Sequence, residues 1–308
     1  MLVLLALGCA DVDRAEPAAP VDPGTEEPAN PDTGARPRDT CETRPAAAAE
    51  RQLTYDGARN LAFLNDGTLL VHGGLGTWIA DPDGATIATV DPALVGPLVV
   101  RFAGLPDGTI ATIEAGELAI VDLGAGTRTV RVPAGGVSGS LLAVEGDALW
   151  VRDGAGTLAR VTADGAVTSS GVLAPAEAMA LRFDGIDRLL AIDRHGVVSA
   201  WIVDGAALTP TAGADFRALT DAAGITAGWY IDIEVDGCGS LYALDLERRE
   251  VWRLDAPGVG VQLARSLTIS DHFAWELGRP NVSSGFPSGD LVVATDDGLV
   301  AVEAGAPR

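Results

Sequence analysis

Short apolar runs separated by turn residues recur along the chain from about residue 58 onward. The clearest set lies at 231–255. Ile231, Ile233 and Val235 alternate with acids, and Asp236-Gly237-Cys238-Gly239 supplies a turn. Residues 241–244 form a compact apolar run that stops at Asp245, and 250–254 alternate again. Alternation with period two marks half-buried strands, and a Gly-containing turn between two such runs marks a hairpin. Equivalent compact runs begin at Thr68, Thr109, Ala148, Arg188, Ser240 and Asp290. Each has Leu or Ile in second place and follows Gly or Asp. Another apolar strand precedes most of them, at 61–64, 99–105, 141–144, 181–183 and 231–235, with 273–277 as the sixth. Further alternating stretches follow, as at 117–122 and 128–132. No stretch sustains a helical period.

The runs are spaced roughly 40 to 50 residues apart, with about four short strands in each period, which is the pattern of a β-propeller blade. The predicted fold is therefore all-β, a six-bladed β-propeller over 51–308. The last period offers three strands, near 273–277, 291–295 and 299–303. Residues 52–56 precede the first blade and have no blade of their own. They are expected to supply the outer strand of the last blade, closing the ring and covering an open sheet edge.

The segments Val235-Asp-Gly-Cys-Gly-Ser-Leu-Tyr-Ala-Leu-Asp245, Phe63-Leu-Asn-Asp-Gly-Thr-Leu-Leu-Val71 and Phe183-Asp-Gly-Ile-Asp-Arg-Leu-Leu-Ala-Ile-Asp193 carry one unit: an apolar strand, a turn with Asp and Gly, and a second apolar strand. This resembles the NHL-repeat and gluconolactonase-type (senescence-marker-like) propellers. The resemblance implies a fold, since propellers host many unrelated activities.

Strands that run alternately between the two ends of a ring place certain acids, and one amide, around one mouth of its axis. The candidates are Asn60, Glu114, Asp153, Asp193, Asp232, Asp245 and Glu276, with Glu177 and Asp296 nearby in the pattern. Oxygen ligands converging from separate loops suit Ca²⁺ or another divalent cation. The gluconolactonase resemblance implies a metal there that polarises a substrate. The plainer reading is that such an Asp accepts hydrogen bonds from turn N–H groups. His195 and His272 are candidates of a different kind. Lyases resembling the streptogramin-cleaving enzymes use an axial His, whereas an isolated His ordinarily serves packing or the surface. Trp150, Trp201 and Trp252 fit strand packing, and Trp229-Tyr230 stands where a ligand could stack.

Composition adds the setting. The chain has 308 residues, a net charge of −22, 38 Gly and 18 Pro, and every one of its 21 basic residues is Arg. That acidity argues against nucleic acid, whose phosphates need clustered cations. Residues 2–8 are apolar and end at Cys9, which resembles the lipobox of bacterial lipoproteins; in that family the Cys carries the lipid and begins the mature protein. Residues 1–8 then read as a signal segment. Residues 9–50, rich in Pro, Ala and acids without apolar periodicity, read as a disordered tether. By the same resemblance, to the sorting rule of enteric lipoproteins, Ala10 after Cys9 implies the outer membrane or cell surface. In an oxidising compartment Cys41 and Cys238 are expected to pair as one disulfide, the alternative being two free thiols. No phosphate loop, nucleophile elbow or dinucleotide fingerprint appears. The leading expectation is a monomeric, exported, lipid-anchored module that binds an envelope protein or glycan. The alternatives are a divalent-metal-dependent hydrolase or lactonase and, with weaker support, a His-dependent lyase.

Overall fold

In the computed structural model, the described residues run from 50 to 303, apart from 54–57, 65, 74–75, 82–84, 97–98, 223–227, 236–239, 249, 256–258, 265–273, 279–289 and 296–297. Side-chain environments are described within 58–254. All these residues belong to one unit, Ala35–Arg308.

After β1 (Glu50–Leu53), five sheets follow, each made of four consecutive antiparallel strands. The first holds β2 (Ala58–Phe63), β3 (Leu69–Gly73), β4 (Gly76–Ala80) and β5 (Thr86–Val90). The second holds β6 (Val99–Gly104), β7 (Ile110–Glu114), β8 (Glu117–Asp122) and β9 (Thr127–Val132). The third holds β10 (Val137–Glu145), β11 (Ala148–Asp153), β12 (Thr157–Val161) and β13 (Val167–Leu173). The fourth holds β14 (Ala178–Phe183), β15 (Arg188–Asp193), β16 (Val197–Asp204) and β17 (Ala207–Asp215). The fifth holds β18 (Tyr230–Val235), β19 (Leu241–Asp245), β20 (Glu250–Asp255) and β21 (Val259–Ala264). A closing four-stranded sheet is composite: β22 (Ala274–Gly278), β23 (Asp290–Thr295) and β24 (Gly298–Glu303), with β1 paired antiparallel on β24, Glu50 opposite Val302. Strand β1 starts two residues before the expected 52–56 and ends at Leu53. The first strands of the sheets pack side by side in the order β2, β6, β10, β14, β18, β22, and β22 returns to β2. They surround an axis.

The core is a set of layers between neighbouring sheets. Leu70 and Ile110 join a cluster shared by the first and second sheets. Ile113 and Leu149 join one shared by the second and third. Trp150 and Leu189 serve the third and fourth, and Leu190 and Leu241 the fourth and fifth. This explains the compact apolar runs. A strand with both faces buried reads as continuous apolar sequence, because each face of its period-two pattern meets a different neighbour. The expected packing role of the three tryptophans holds: Trp150, Trp201 and Trp252 are all buried.

Turn chemistry repeats as well. In Leu64–Thr68 and again in Leu105–Thr109, the Leu N–H donates to the Thr carbonyl (2.9 Å in both). The Asp carboxylate accepts from the Thr N–H and hydroxyl. Gly67 and Gly108 both sit at φ +86°, a left-handed conformation that suits glycine. The Thr hydrogen bonds hold the carboxyls of Asp66 and Asp107 below their ordinary range. Two helical turns, α1 (Pro92–Val95) and α2 (Phe216–Ala222), lie between sheets. They are too short to impose a helical period on the sequence.

A chain shortened to begin at residue 54 loses β1 and leaves β24 with an open edge. Its thermal midpoint is expected to fall, by ~2–4 °C for each kcal/mol lost, and associated species are expected in size-exclusion chromatography. An unchanged midpoint and elution would show that β1 does not hold the closing sheet.

Candidate functional site

The register of the inner strand pairs defines two rings of equivalent positions at one end of the axis. The last residue of each second strand faces the first residue of its innermost strand: Gly73 faces Ala58, Glu114 Val99, Asp153 Val137, Asp193 Ala178, Asp245 Tyr230 and Thr295 Ala274. In five of the pairs the register then slips by one residue, so that Asn60, Arg101, Ala180, Asp232 and Glu276 follow a bulge at matching places. Strand β10 has a larger slip, between Val137 and Leu142. Bulges of this kind re-aim side chains at the rim of a ring.

The centre of the ring is occupied by an ion-pair network. Strands β6 and β18 stand three places apart in the ring in either direction, so a contact between them crosses the axis. Arg101 Nη2 of β6 donates to Asp232 Oδ1 of β18 at 2.7 Å. Arg182 of β14 reaches Asp232 Oδ2 at 3.3 Å and, through Nε, Glu234 Oε2 at 3.2 Å. Asp232 is 0% exposed, and two guanidiniums compensate its charge where water cannot. The sequence-predicted ligand Asp232 is thus held by cations from the second and fourth sheets.

The other predicted acids take separate parts. Asp153 accepts from the N–H groups of Ala155 and Thr157. Asp193 accepts from those of His195 (2.8 Å) and Val197 (3.0 Å). Both perform the turn role. Burial pushes the Asp153 carboxyl up, but the hydrogen bonds from Thr157, Ala155 and Gly156 together outweigh it and the net shift is downward. Glu114 lies against Gly96, where no Cβ would fit, and 3.8 Å from Arg128. Asn60 lies opposite His72, whose Nδ1 is 2.7 Å from the Thr77 hydroxyl and whose ring meets Phe102 edge-on. Burial and Arg59 lower the His72 pKa. Asp245 is fully buried beneath Gly228 and accepts from the N–H groups of Trp229 and Arg248, both at 3.2 Å. Its Oδ2 has no hydrogen-bond partner among the described residues, and Arg248 Nε is 3.9 Å away. Desolvation raises its pKa. Among the described residues, no three His, Cys, Asp or Glu side chains gather as metal ligands would. The side chain of Glu276, together with His272, Asp296, Cys9, Cys41 and Cys238, lies outside the described residues.

One exposed cluster is assembled on this rim, over the fourth and fifth sheets. Glu177 precedes β14, Arg194 and His195 follow β15, and Trp229 precedes β18. Glu177 Oε1 is 2.8 Å from Arg194 Nη2, and its Oε2 is 2.9 Å from His195 Nε2. Backbone bonds lace the loops together. Arg194 N–H donates to Glu177 O, Tyr230 N–H to Arg194 O, and Leu246 N–H to Trp229 O. Tyr230 beside it is buried, and desolvation pushes its phenol up to about 12. The structure therefore brings His195 together with Glu177 and, among the described residues, leaves the remaining predicted acids apart. Sequence reasoning did not single out Arg101, Arg182 or Arg194. Arg101 carries a visible signal, being a charge inside the apolar strand Val99–Gly104. At the opposite end of the ring, a pocket of ≈ 150 Å³ lies between the second and third sheets, lined by Leu105, Ile120, Leu149 and Arg131.

No protein-family model matches the chain, and no curated protein matches it in sequence. Solved structures do resemble it. A gluconolactonase from Xanthomonas campestris aligns with a TM-score of 0.63 at 16% identity, covering 84% of this chain and 90% of that one. A luciferin-regenerating enzyme gives 0.60 at 13%, covering 83% and 95%. Virginiamycin B lyase from Staphylococcus aureus gives 0.55 at 12%, covering 83% and 98%. A catalytically inactive His-to-Ala form of that lyase, with quinupristin, gives 0.56 at 11%, covering 83% and 98%. What the chain shares with these proteins is the all-β propeller fold.

Two outcomes test the geometry. Asp232→Asn removes the buried carboxylate charge that Arg101 and Arg182 share, and urea unfolding is expected to show a loss of about 3–5 kcal/mol. A loss below about 1 kcal/mol would show that the network is not a dry buried one. Because the folded protein raises the Asp245 pKa, the contribution of this group to stability is fully present below the unfolded carboxylate value and is lost as pH rises through the folded one. Asp245→Asn is expected to abolish that fall, matching wild type at pH 3 and gaining on it toward pH 7. A pH-independent difference would refute the assignment.

Proposed function

We propose that the chain is a lipid-anchored, exported propeller of six blades that acts as a binding module at the cell envelope. Cys9 carries the lipid, residues 9–50 form the tether, and a Cys41–Cys238 bridge clamps that tether to the ring. One observation carries the binding reading. The central carboxylate Asp232 is neutralised by Arg101 and Arg182 of the same ring, while hydrogen-bonding groups stand exposed on the rim at Glu177, Arg194 and His195. The net charge of −22 points away from nucleic acid.

A second reading, a His-dependent lyase, is favoured by the His195–Glu177 pair at 2.9 Å, since a carboxylate beside an imidazole orients it as a proton acceptor. The metal-dependent lactonase has less support. Asp232 is bound by guanidiniums, and Asp153 and Asp193 are engaged by turn N–H groups. Glu114 lies beside Arg128, and Asp245 accepts from the Trp229 and Arg248 N–H groups, so a cation such as Ca²⁺ would have to compete with these partners.

The full chain, immobilised and exposed to detergent-solubilised envelope, is expected to retain a saturable partner. A Glu177→Ala/His195→Ala variant is expected to retain it at least about tenfold more weakly, as for an interface anchor. Equal retention by both proteins would move the binding surface away from this rim. Turnover of quinupristin that disappears in His195→Ala would favour the lyase.

A further inference from the structure

Resting on the binding reading, we infer that the rim cluster is a carbohydrate subsite in which a neutral pyranose ring stacks on Trp229 and its hydroxyls are held by Glu177, Arg194 and His195. Trp229 is 47% exposed, whereas Trp150, Trp201 and Trp252 are buried. An indole left in water costs hydrophobic free energy that a stacked apolar face recovers. The Trp229 backbone is held by two hydrogen bonds. Trp229 N–H donates to the buried Asp245 carboxylate at 3.2 Å, and its carbonyl accepts from Leu246 N–H at 2.8 Å. The next residue, Tyr230, is buried and donates to Arg194 O at 3.0 Å. The backbone that presents the indole is therefore fixed on both sides before any ligand arrives, which lowers the entropy lost on binding.

The polar partners have the chemistry of a sugar site. A pyranose offers an apolar C–H face and a belt of hydroxyls, each both donor and acceptor. Glu177 supplies acceptors, Arg194 a planar fork of donors, and His195 one or the other according to its tautomer. These side chains are 43%, 48% and 42% exposed, so a ligand can reach them without displacing the core. Their mutual bonds set the fork and the carboxylate at fixed spacing, the arrangement that recognises neighbouring hydroxyls. The pairing of Glu177 with Arg194 also balances the local charge, which suits a neutral sugar better than an ionic ligand. Asp245 is a positioning residue here, acting through the Trp229 N–H.

The test titrates the full chain with cellotetraose, chitotetraose and maltotetraose, read by tryptophan fluorescence and by calorimetry. At least one is expected to bind with a blue-shifted indole signal. Trp229→Ala is expected to weaken it at least tenfold and to remove the shift, and Glu177→Gln to weaken it severalfold with the shift retained. Binding that survives Trp229→Ala unchanged overturns the inference, and so does the absence of binding to all three at millimolar concentration. Saturable retention of an envelope protein in the capture experiment, with no sugar bound, would overturn the carbohydrate inference while leaving the binding reading in place.

Discussion

A ring of sheets has an axis, and whatever stands at that axis must be reconciled with burial. Here the constraint is the Asp232 carboxylate, fully buried and bonded to Arg101 from across the ring and to Arg182 from the adjacent sheet. Removing a charge from water costs several kcal/mol, and only closely placed opposite charges offset it. The offset requires β6, β14 and β18 to keep their relative heights along the axis, because a one-residue slip in any of them would turn the charged side chain to the other face. The bulges near the start of the innermost strands serve this alignment, since they set which residue of each strand meets the centre. The network thus fixes the register of the strands from which the rim loops spring, and those loops carry Glu177, Arg194, His195 and Trp229.

The β-propeller was legible because its signals are periodic and local. A strand buried on both faces writes a short apolar run, and an Asp-Gly turn writes its own boundary. Residues 64–68 and 105–109 repeat the same hydrogen bonds from the same residue types. The equivalence of Glu114, Asp153, Asp193 and Asp245 was legible for the same reason, as each ends a second strand. What each carboxylate does there was not. Its role depends on neighbours from other sheets or loops: Arg128 and Gly96 for Glu114, and Gly228, Trp229 and Arg248 for Asp245. The ion pair between residues 101 and 232 is long-range, and no local pattern encodes which charges meet across a ring. Arg101 could have been found by aligning the innermost strands on their bulges, which places it beside Asn60, Asp232 and Glu276.

His195 shows the limit of reading a residue by itself. Isolated in sequence, it reads as a surface or packing histidine. In the fold, Glu177 from the preceding loop sits 2.9 Å from its Nε2, and Arg194 shares the same carboxylate. His72 has the opposite fate: a hydroxyl on one side, an aromatic edge on the other, and a pKa lowered by burial, all of which make it part of the packing.

The composite closing sheet ties the beginning of the described chain to its end, with Glu50 opposite Val302 and Leu53 opposite Leu299. In folding terms, this is a contact of the longest range the domain offers. On a ribosome, Glu50–Leu53 emerges early and finds no partner until Gly298–Glu303 has been made. The five contiguous sheets can assemble as they appear, while closure must wait for the final strand and bear the loop entropy of everything between. Until then both edges stay open to other chains. The step most exposed to misassembly is therefore the last one.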